Sequence, residues 1–178
     1  MVPAVALVAA LVLALIGCSS GPTDEEVIRQ GIGEELAAIK SGDNDIVAAV
    51  EQGAGEDLRK LGLDSGELMS AYLDGFDYEV GEVSVQGDAA TAHLSVTCRS
   101  MSDVASDFEA KFVDVVAGAD DPTDDEALYG LAGQTLLECV RDTTPKTVTC
   151  DVACQKAADG TWTYADGVRG QVTQLFLD

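Results

Sequence analysis

The chain has 178 residues, of which 32 are Asp or Glu and 10 are Lys or Arg, giving a formal net charge of −22, and 47% are hydrophobic. So acidic a surface argues against nucleic acid, which requires basic patches, and against docking on anionic headgroups. The apolar content suffices for a packed core, so disorder is not expected despite the charge, and the length suits one ordinary domain.

Val2 to Ile16 form an apolar run interrupted only by Pro3. A membrane-spanning helix needs about 20 such residues and a signal-peptide core about 7–15, so the run reads as a leader. No Lys or Arg precedes it, which leaves the α-amino group as the usual positive end. It closes on Leu15-Ile16-Gly17-Cys18, which resembles the lipobox of bacterial lipoproteins: an aliphatic residue, a small or aliphatic one, a small one, then cysteine. The resemblance implies cleavage between Gly17 and Cys18 and a diacylglyceryl group on the Cys18 thiol. It also implies attachment to the outer face of the bacterial cytoplasmic membrane, in the cell envelope. Residues 1–17 are then a lipoprotein signal peptide, 18–22 a short tether and 23–178 a single domain. Each buried acyl CH₂ contributes about 0.8 kcal/mol, and two chains give a stable anchor where one does not. Residues 1–17 carry no charged side chain, so the whole formal charge belongs to the mature part of the chain.

Thr23 with Glu26 forms a capping-box pattern, and Ile28, Ile32, Leu36 and Ile39 come next at helical spacing up to Ser41-Gly42. Asp43 can cap a second helix, Asn44 to Gln52, which Gly53 and Gly55 are expected to break before a short helical piece over Glu56–Leu61. Ser65 opens another helix with Leu68, Met69, Tyr72 and Leu73. At Phe76 the period changes to alternation through Tyr78 and Val80. After Gly81 the phase slips to Val83 and Val85, the signature of a β-bulge. Gln86-Gly87-Asp88 turns into a second strand, Ala89 to Arg99.

Val104, Phe108, Phe112 and Val115 then share one helical face. After the acidic connector Ala119 to Pro122, Thr123 and Glu126 offer a second capping box for a helix with Leu128, Leu131, Leu136 and Cys139, ended by Thr143-Thr144-Pro145. Val148, Cys150, Val152 and Cys154 alternate as a third strand, and Asp159-Gly160 turns it into a short fourth with Trp162 and Tyr164. Val168, Val172, Leu175 and Phe176 suggest a closing helix. The order predicts an α+β fold in which N-terminal helices and a helical insert pack on a bent, four-stranded antiparallel sheet.

The bulged Phe76–Gln86 strand, the Gly87-Asp88 turn with Ala90-Thr91-Ala92, and Asp159-Gly160-Thr161-Trp162 carry a second resemblance. They are similar to the cystatin-like and nuclear-transport-factor-2-like superfamily, particularly small lipoprotein domains of Gram-positive bacteria. That resemblance implies a cone between sheet and helices, although the insert here is longer than the single crossover helix usual there. Tyr72, Phe76, Tyr78, Phe112 and Trp162, with Ile32, Leu36 and Leu131, are the expected lining, and the same residues equally describe a filled core. The superfamily includes isomerases with an acid in an apolar cone, for which Asp74 or Asp77 beside Tyr72 or Tyr78 are the candidates here. It also includes protease inhibitors, whose Gln-x-Val-x-Gly loop this chain lacks.

With Cys18 spent on lipid, Cys98, Cys139, Cys150 and Cys154 remain. An even count in an exported chain allows two disulfides, while their apolar strand and helix positions suit free thiols packed as small hydrophobes. Cys150 and Cys154 have no second compact ligand pair, so no metal is expected. His93, the only histidine, lies opposite the apolar strand face and reads as solvent-facing. Asp120, Asp121, Asp124, Asp125 and Glu126 lack the alternating spacing of a calcium loop and read as a solvated connector and helix start. Gly31-Ile32-Gly33 and Gly53-Ala54-Gly55 are preceded by no strand and are not nucleotide loops. No cofactor is expected and no catalytic residue is assigned. The expectation is a non-catalytic, lipid-anchored binding domain that takes a small apolar ligand or a peptide. The alternatives are a module pairing with an envelope protein or with itself through the sheet's outer face, and, more remotely, an isomerase-like enzyme.

Overall fold

A computed structural model describes residues 21–42, 44–121, 123–164 and 167–177. Leu15-Ile16-Gly17-Cys18, the rest of the leader, and Asp43 lie outside the described residues. The elements run α1 (Asp24–Lys40), α2 (Asn44–Lys60), α3 (Ser65–Leu73), β1 (Asp77–Gln86), β2 (Ala89–Cys98), α4 (Met101–Ala117), α5 (Asp125–Asp142), β3 (Lys146–Lys156), β4 (Trp162–Tyr164) and α6 (Gly167–Leu177). The strands form one antiparallel sheet in the order β1-β2-β3-β4. This is the expected α+β architecture.

Alternation decides what each sheet face touches. Ala90, Ala92, Leu94, Val96 and Cys98 of β2 are buried with Val152 and Cys154 of β3. Their covering comes from α1, through Ile28, Ile32, Leu36 and Ile39, and from α6, through Val168 and Val172. Burying each such side chain of α1 contributes about 1.5–3 kcal/mol relative to exposure, so this stripe is what seats the helix. The opposite sheet face is polar: Thr91, His93 and Thr97 alternate on β2, facing Ala153, Asp151 and Thr147 of β3. The register of β1 on β2 breaks between Val80 and Val83, as the phase slip at Gly81 predicts. Gly81 allows a close approach there: a Cβ would lie 3.1 Å from the His93 carbonyl oxygen, so the neighbouring strand would have to give by a few tenths of an ångström. Arg29 of α1 donates to the Val80 and Gly81 carbonyls, the latter at 2.6 Å, and so satisfies backbone acceptors at the bulge.

Helices α3, α4 and α5 make a second apolar cluster, with Tyr72, Val104, Cys139 and Val140 at its centre and Leu68, Met69, Phe108 and Leu136 around it, and α2 packs against α3 and α5. All four attach at one end of the sheet: α2 and α3 precede Asp77, and α4 and α5 lie between Cys98 and Lys146. Two expectations are corrected here. Gly53 and Gly55 do not break α2, which runs unbroken to Lys60. A helical Gly costs only about 1 kcal/mol relative to Ala, and the buried Leu58 ties the second half of α2 into the structure. The cap of α5 is Asp124, whose carboxylate accepts from the Glu126 and Ala127 amides. Thr123 instead donates its amide and hydroxyl to Asp121, so the pattern Thr123–Glu126 is not a capping box.

Candidate functional site

The expected cone lining is brought together in part, and it is packed shut. The Phe76 ring lies 6.3 Å from Tyr78 and 5.8 Å from Phe176, and Phe176 meets Tyr72 edge-on at 5.7 Å. Ile32 and Leu36 are wholly buried beneath them. Each polar handle on these rings is satisfied. Tyr78 donates to the Gly33 carbonyl at 3.1 Å, and Tyr72 reaches the Arg99 and Phe176 carbonyls at 2.9 and 3.1 Å. Burial pushes the Tyr72 phenol up to about 12. Trp162 sits at the other end of the sheet, its ring N–H donating to Asp24. Phe112 is on α4, in the helical insert, and Leu131 is on α5. Of the two readings of these residues, a filled core is the one the packing supports, and the insert removes Phe112 and Leu131 from it.

An open concavity with an apolar floor lies beside that core, where α1 ends and α2 and α3 meet it. It measures about 390 Å³. Val47, Met69, Leu73 and Phe76 supply the apolar surface, and Lys40, Ser41, Ser70 and Asp74 the polar rim. Its geometry arises from local sequence. Gly42 and Gly75 take positive φ, which turns the chain sharply at the end of α1 and again between α3 and β1. Met69 and Leu73, four residues apart, lie on one face of α3. Of this lining, sequence reasoning names Phe76 as a lining residue and Asp74 as a candidate acid. The available signal is the i, i+4 pair Met69–Leu73 flanked by the small residues Gly66 and Ser70.

Beneath the rim is a residue that sequence reasoning misses. Arg99 directly follows β2 and is only 5% exposed. Its guanidinium donates to the carbonyls of Tyr72, Asp74 and Thr143, at 3.3 Å to Tyr72 and 2.9 Å to Thr143. Those carbonyls belong to the C-terminal ends of α3 and α5, where unpaired acceptors and the negative dipole end favour a cation. The Asp74 carboxylate lies 3.6 Å from the guanidinium but is 82% exposed, so it screens more than it pairs. The fork of Arg99 therefore holds two helix ends and the floor of the cleft together. An arginine directly after an alternating apolar strand is the sequence signal.

The isomerase candidates do not converge. Asp77 is exposed and paired with Lys40 at 2.8 Å, and this hydrogen bond holds its carboxyl below the usual range. Asp74 faces solvent, and the two tyrosines donate to backbone. His93 is on the outer sheet face, exposed, with Nδ1 2.7 Å from the Asp151 carboxylate across the strand pair. In the acidic connector Asp121 is spent on Thr123, which lowers its pKa, and Asp124 caps α5. Asp120, Asp121 and Asp124 line a second open cleft of about 520 Å³ there together with Ala127 and Leu131, while Asp125 and Glu126 occupy the first turn of α5. Among the described residues no group of His, Cys, Asp or Glu is arranged to hold a metal ion.

Cys98, Cys139, Cys150 and Cys154 are free thiols. Cys98 pairs with Lys146 and Cys150 with Leu94, so the strand cysteines are separated along the sheet by four residues at a time. That spacing is roughly 13 Å, beyond the reach of a bridge. Cys139 belongs to the other apolar cluster. Packed thiols, not two disulfides, are what this register accommodates.

No family model matches the chain, and neither does any curated protein. Among solved structures the chain is similar to that of a "putative lipoprotein (ycdA)" from Bacillus subtilis, at 15% identity and a TM-score of 0.42. The match covers 74% of this chain and 44% of that one, so the chain spans less than half the length of that protein. At that TM-score the likeness carries no argument, and the cystatin-like resemblance rests on its own residues.

Proposed function

We propose that this chain is a lipid-anchored, non-catalytic binding domain of the bacterial cell envelope, held through Cys18 on the outer face of the cytoplasmic membrane. Its binding site is the α1–α2–α3 cleft, and the ligand is a small apolar molecule or an apolar peptide segment. The observation that carries the site is the contrast between a ring-filled interior and an open cleft floored by Val47, Met69, Leu73 and Phe76. Concave sites with an apolar floor and a few polar groups are the usual form of ligand pockets. The anchor is supported by the lipobox pattern at Leu15-Ile16-Gly17-Cys18. Among the described residues no helix is long and apolar enough to cross a membrane. A cystatin-like or nuclear-transport-factor-2-like ancestry belongs to the same proposal, supported by the bulged β1 and the Asp159-Gly160 hairpin.

A second reading, an interaction module of the envelope, is favoured by Val113 and Tyr129, 69% and 51% exposed on α4 and α5. The outer sheet face, expected to serve that role, is polar.

Two measurements test the leading reading. In fractionated cells, Cys18→Ala should move the full chain from the membrane to the soluble fraction, and retention would sink the anchor. The uncharged dye Nile red should bind the folded domain saturably, with Met69→Glu abolishing the enhanced emission while the circular dichroism spectrum is kept. Undiminished dye binding by a folded Met69→Glu protein would remove the cleft from the proposal.

A further inference from the structure

We propose that the molecule stands upright on the bilayer, with its two hairpin turns toward the lipid and the cleft at the far end, so that the cleft draws its ligand from the aqueous side of the envelope and not from the membrane beneath. The inference rests on the Cys18 anchor and adds a posture to it.

Thr23 and Glu26 close a capping box with both arms formed, so the ordered helix begins at Asp24. The Asp24 carboxylate accepts from Lys156 Nζ at 2.8 and 2.9 Å and from Trp162 Nε1 at 3.0 Å. Lys156 Nζ also lies 5.5 Å from the centre of the Trp162 ring. This clasp fixes the entry point on the β3–β4 hairpin. The β1–β2 turn is at the same end, since the Asp88 carbonyl accepts from the Lys156 amide at 2.7 Å and from Gln155 Nε2 at 2.6 Å. Four residues lie between Cys18 and Thr23, and the five Cα–Cα steps that join them reach at most about 18 Å. The lipid is therefore confined to the neighbourhood of these two turns.

From the clasp, the 17-residue α1 carries the fold about 25 Å away. Its last residue, Lys40, pairs with Asp77 and lines the cleft together with Ser41 and Gly42. The register agrees. Gln155 is opposite Ala89 at the tethered end, and Lys146 is opposite Cys98 at the end from which α4 leaves and into which α5 returns. A rigid strut thus links anchor and cleft and sets them apart.

Tilting the body onto the bilayer is opposed by its charge. The anionic leaflet repels carboxylates within a Debye length, about 8 Å at physiological ionic strength. Each of the nine described Lys and Arg side chains already has a carboxylate or carbonyl partner within the protein. The turns themselves, Gly87-Asp88 and Ala157-Ala158-Asp159-Gly160, are small and acidic and offer no apolar wedge for insertion. Contact with the membrane is left to the lipid.

The test uses the full acylated chain in liposomes whose headgroups carry an acceptor dye. The donor dye is placed on a cysteine introduced at Ala158 (A158C) or at Thr144 (T144C), in a Cys150→Ala background that removes the half-exposed thiol. Both positions are exposed, and β3 holds them roughly 33 Å apart. Energy transfer from position 158 should exceed that from 144 several-fold. Equal transfer, or more from 144, overturns the upright posture while leaving the anchor in place. Labelled chains with Cys18 intact that neither pellet with the vesicles nor transfer from either position overturn the anchor and the posture with it. Cys18→Ala should abolish transfer from both.

Discussion

Arg99 shows how much one side chain can determine. Three carbonyls depend on it, and a buried acceptor left without a donor costs about 1–3 kcal/mol. Replacement by Met is therefore expected to lower unfolding stability by about 3 kcal/mol or more, read as a reduced urea midpoint at constant slope. Arg99→Lys should recover little, because a single ammonium cannot reach carbonyls that a planar fork serves in different directions. A Lys variant as stable as wild type would reduce Arg99 to a mere charge. Tyr72, its neighbour, governs alkaline behaviour. Its folded pKa, raised to about 12, lies above the unfolded value near 10. Its share of stability is therefore complete below pH 10 and is lost as pH rises toward 12, on the order of 2 kcal/mol in all. Burial also pushes the thiols of Cys98, Cys139, Cys150 and Cys154 up, so the decline should begin near the unfolded thiol value of about 8.5. Urea midpoints from pH 8 to 11 should fall throughout, and Tyr72→Phe should flatten the part above pH 10. A Tyr72→Phe curve parallel to wild type across that range would contradict the assignment.

Between elements, glycines mark where backbones approach. At Gly133 of α5 a Cβ would overlap the Leu61 carbonyl oxygen, which closes the α2–α3 connection against α5. Gly133→Ala must push those backbones apart, and strain of this kind typically costs about 1–3 kcal/mol. Hydrogen exchange should quicken in α2 and α3 while β2 and β3 keep their protection. A uniform change across the domain would deny that the helical lobe yields separately. Neither this contact nor the continuity of α2 through Gly53 and Gly55 was legible in the sequence, because both depend on what packs alongside. The elements that declared themselves did so through local physics. The capping box of Thr23 and Glu26 is present with both arms, and the alternation of Ala92, Leu94 and Val96 gave strand and face together. The phase slip at Gly81 marked the bulge. At the start of α5, two neighbouring side chains competed for one cap, and spacing alone favoured Thr123 where Asp124 holds it.

At the scale of the molecule, class and strand order were legible because periodicity changes from helix to strand at Phe76 and again at Val148. The cleft was not. A set of apolar residues describes a pocket and a core equally well, and the difference lies in which rings meet. Phe76 meets Tyr78 and Phe176 and closes the interior, while with Met69 and Leu73 it also lines the cleft. Charge was visible as a sum but not as an arrangement. Most of the scarce cations clamp one element to another, as Lys111 joins α4 to α5 and Arg141 joins α5 to α3. Exposed pairs of this kind add little energy individually, yet they leave the outer surface to the carboxylates.

The covering of β1 by α1 bears on how copies behave beside one another. Lipid anchoring confines proteins to two dimensions, where collisions are frequent and edges meet in similar orientations. An open edge strand is a template for pairing with the next molecule. Here α1 lies along β1, Arg29 occupies the carbonyls of Val80 and Gly81, and Lys40 holds Asp77 at the strand's start. The bulge that bends the strand further spoils it as a template. A crowded membrane surface would thus find the β1 edge of this sheet closed to its neighbours.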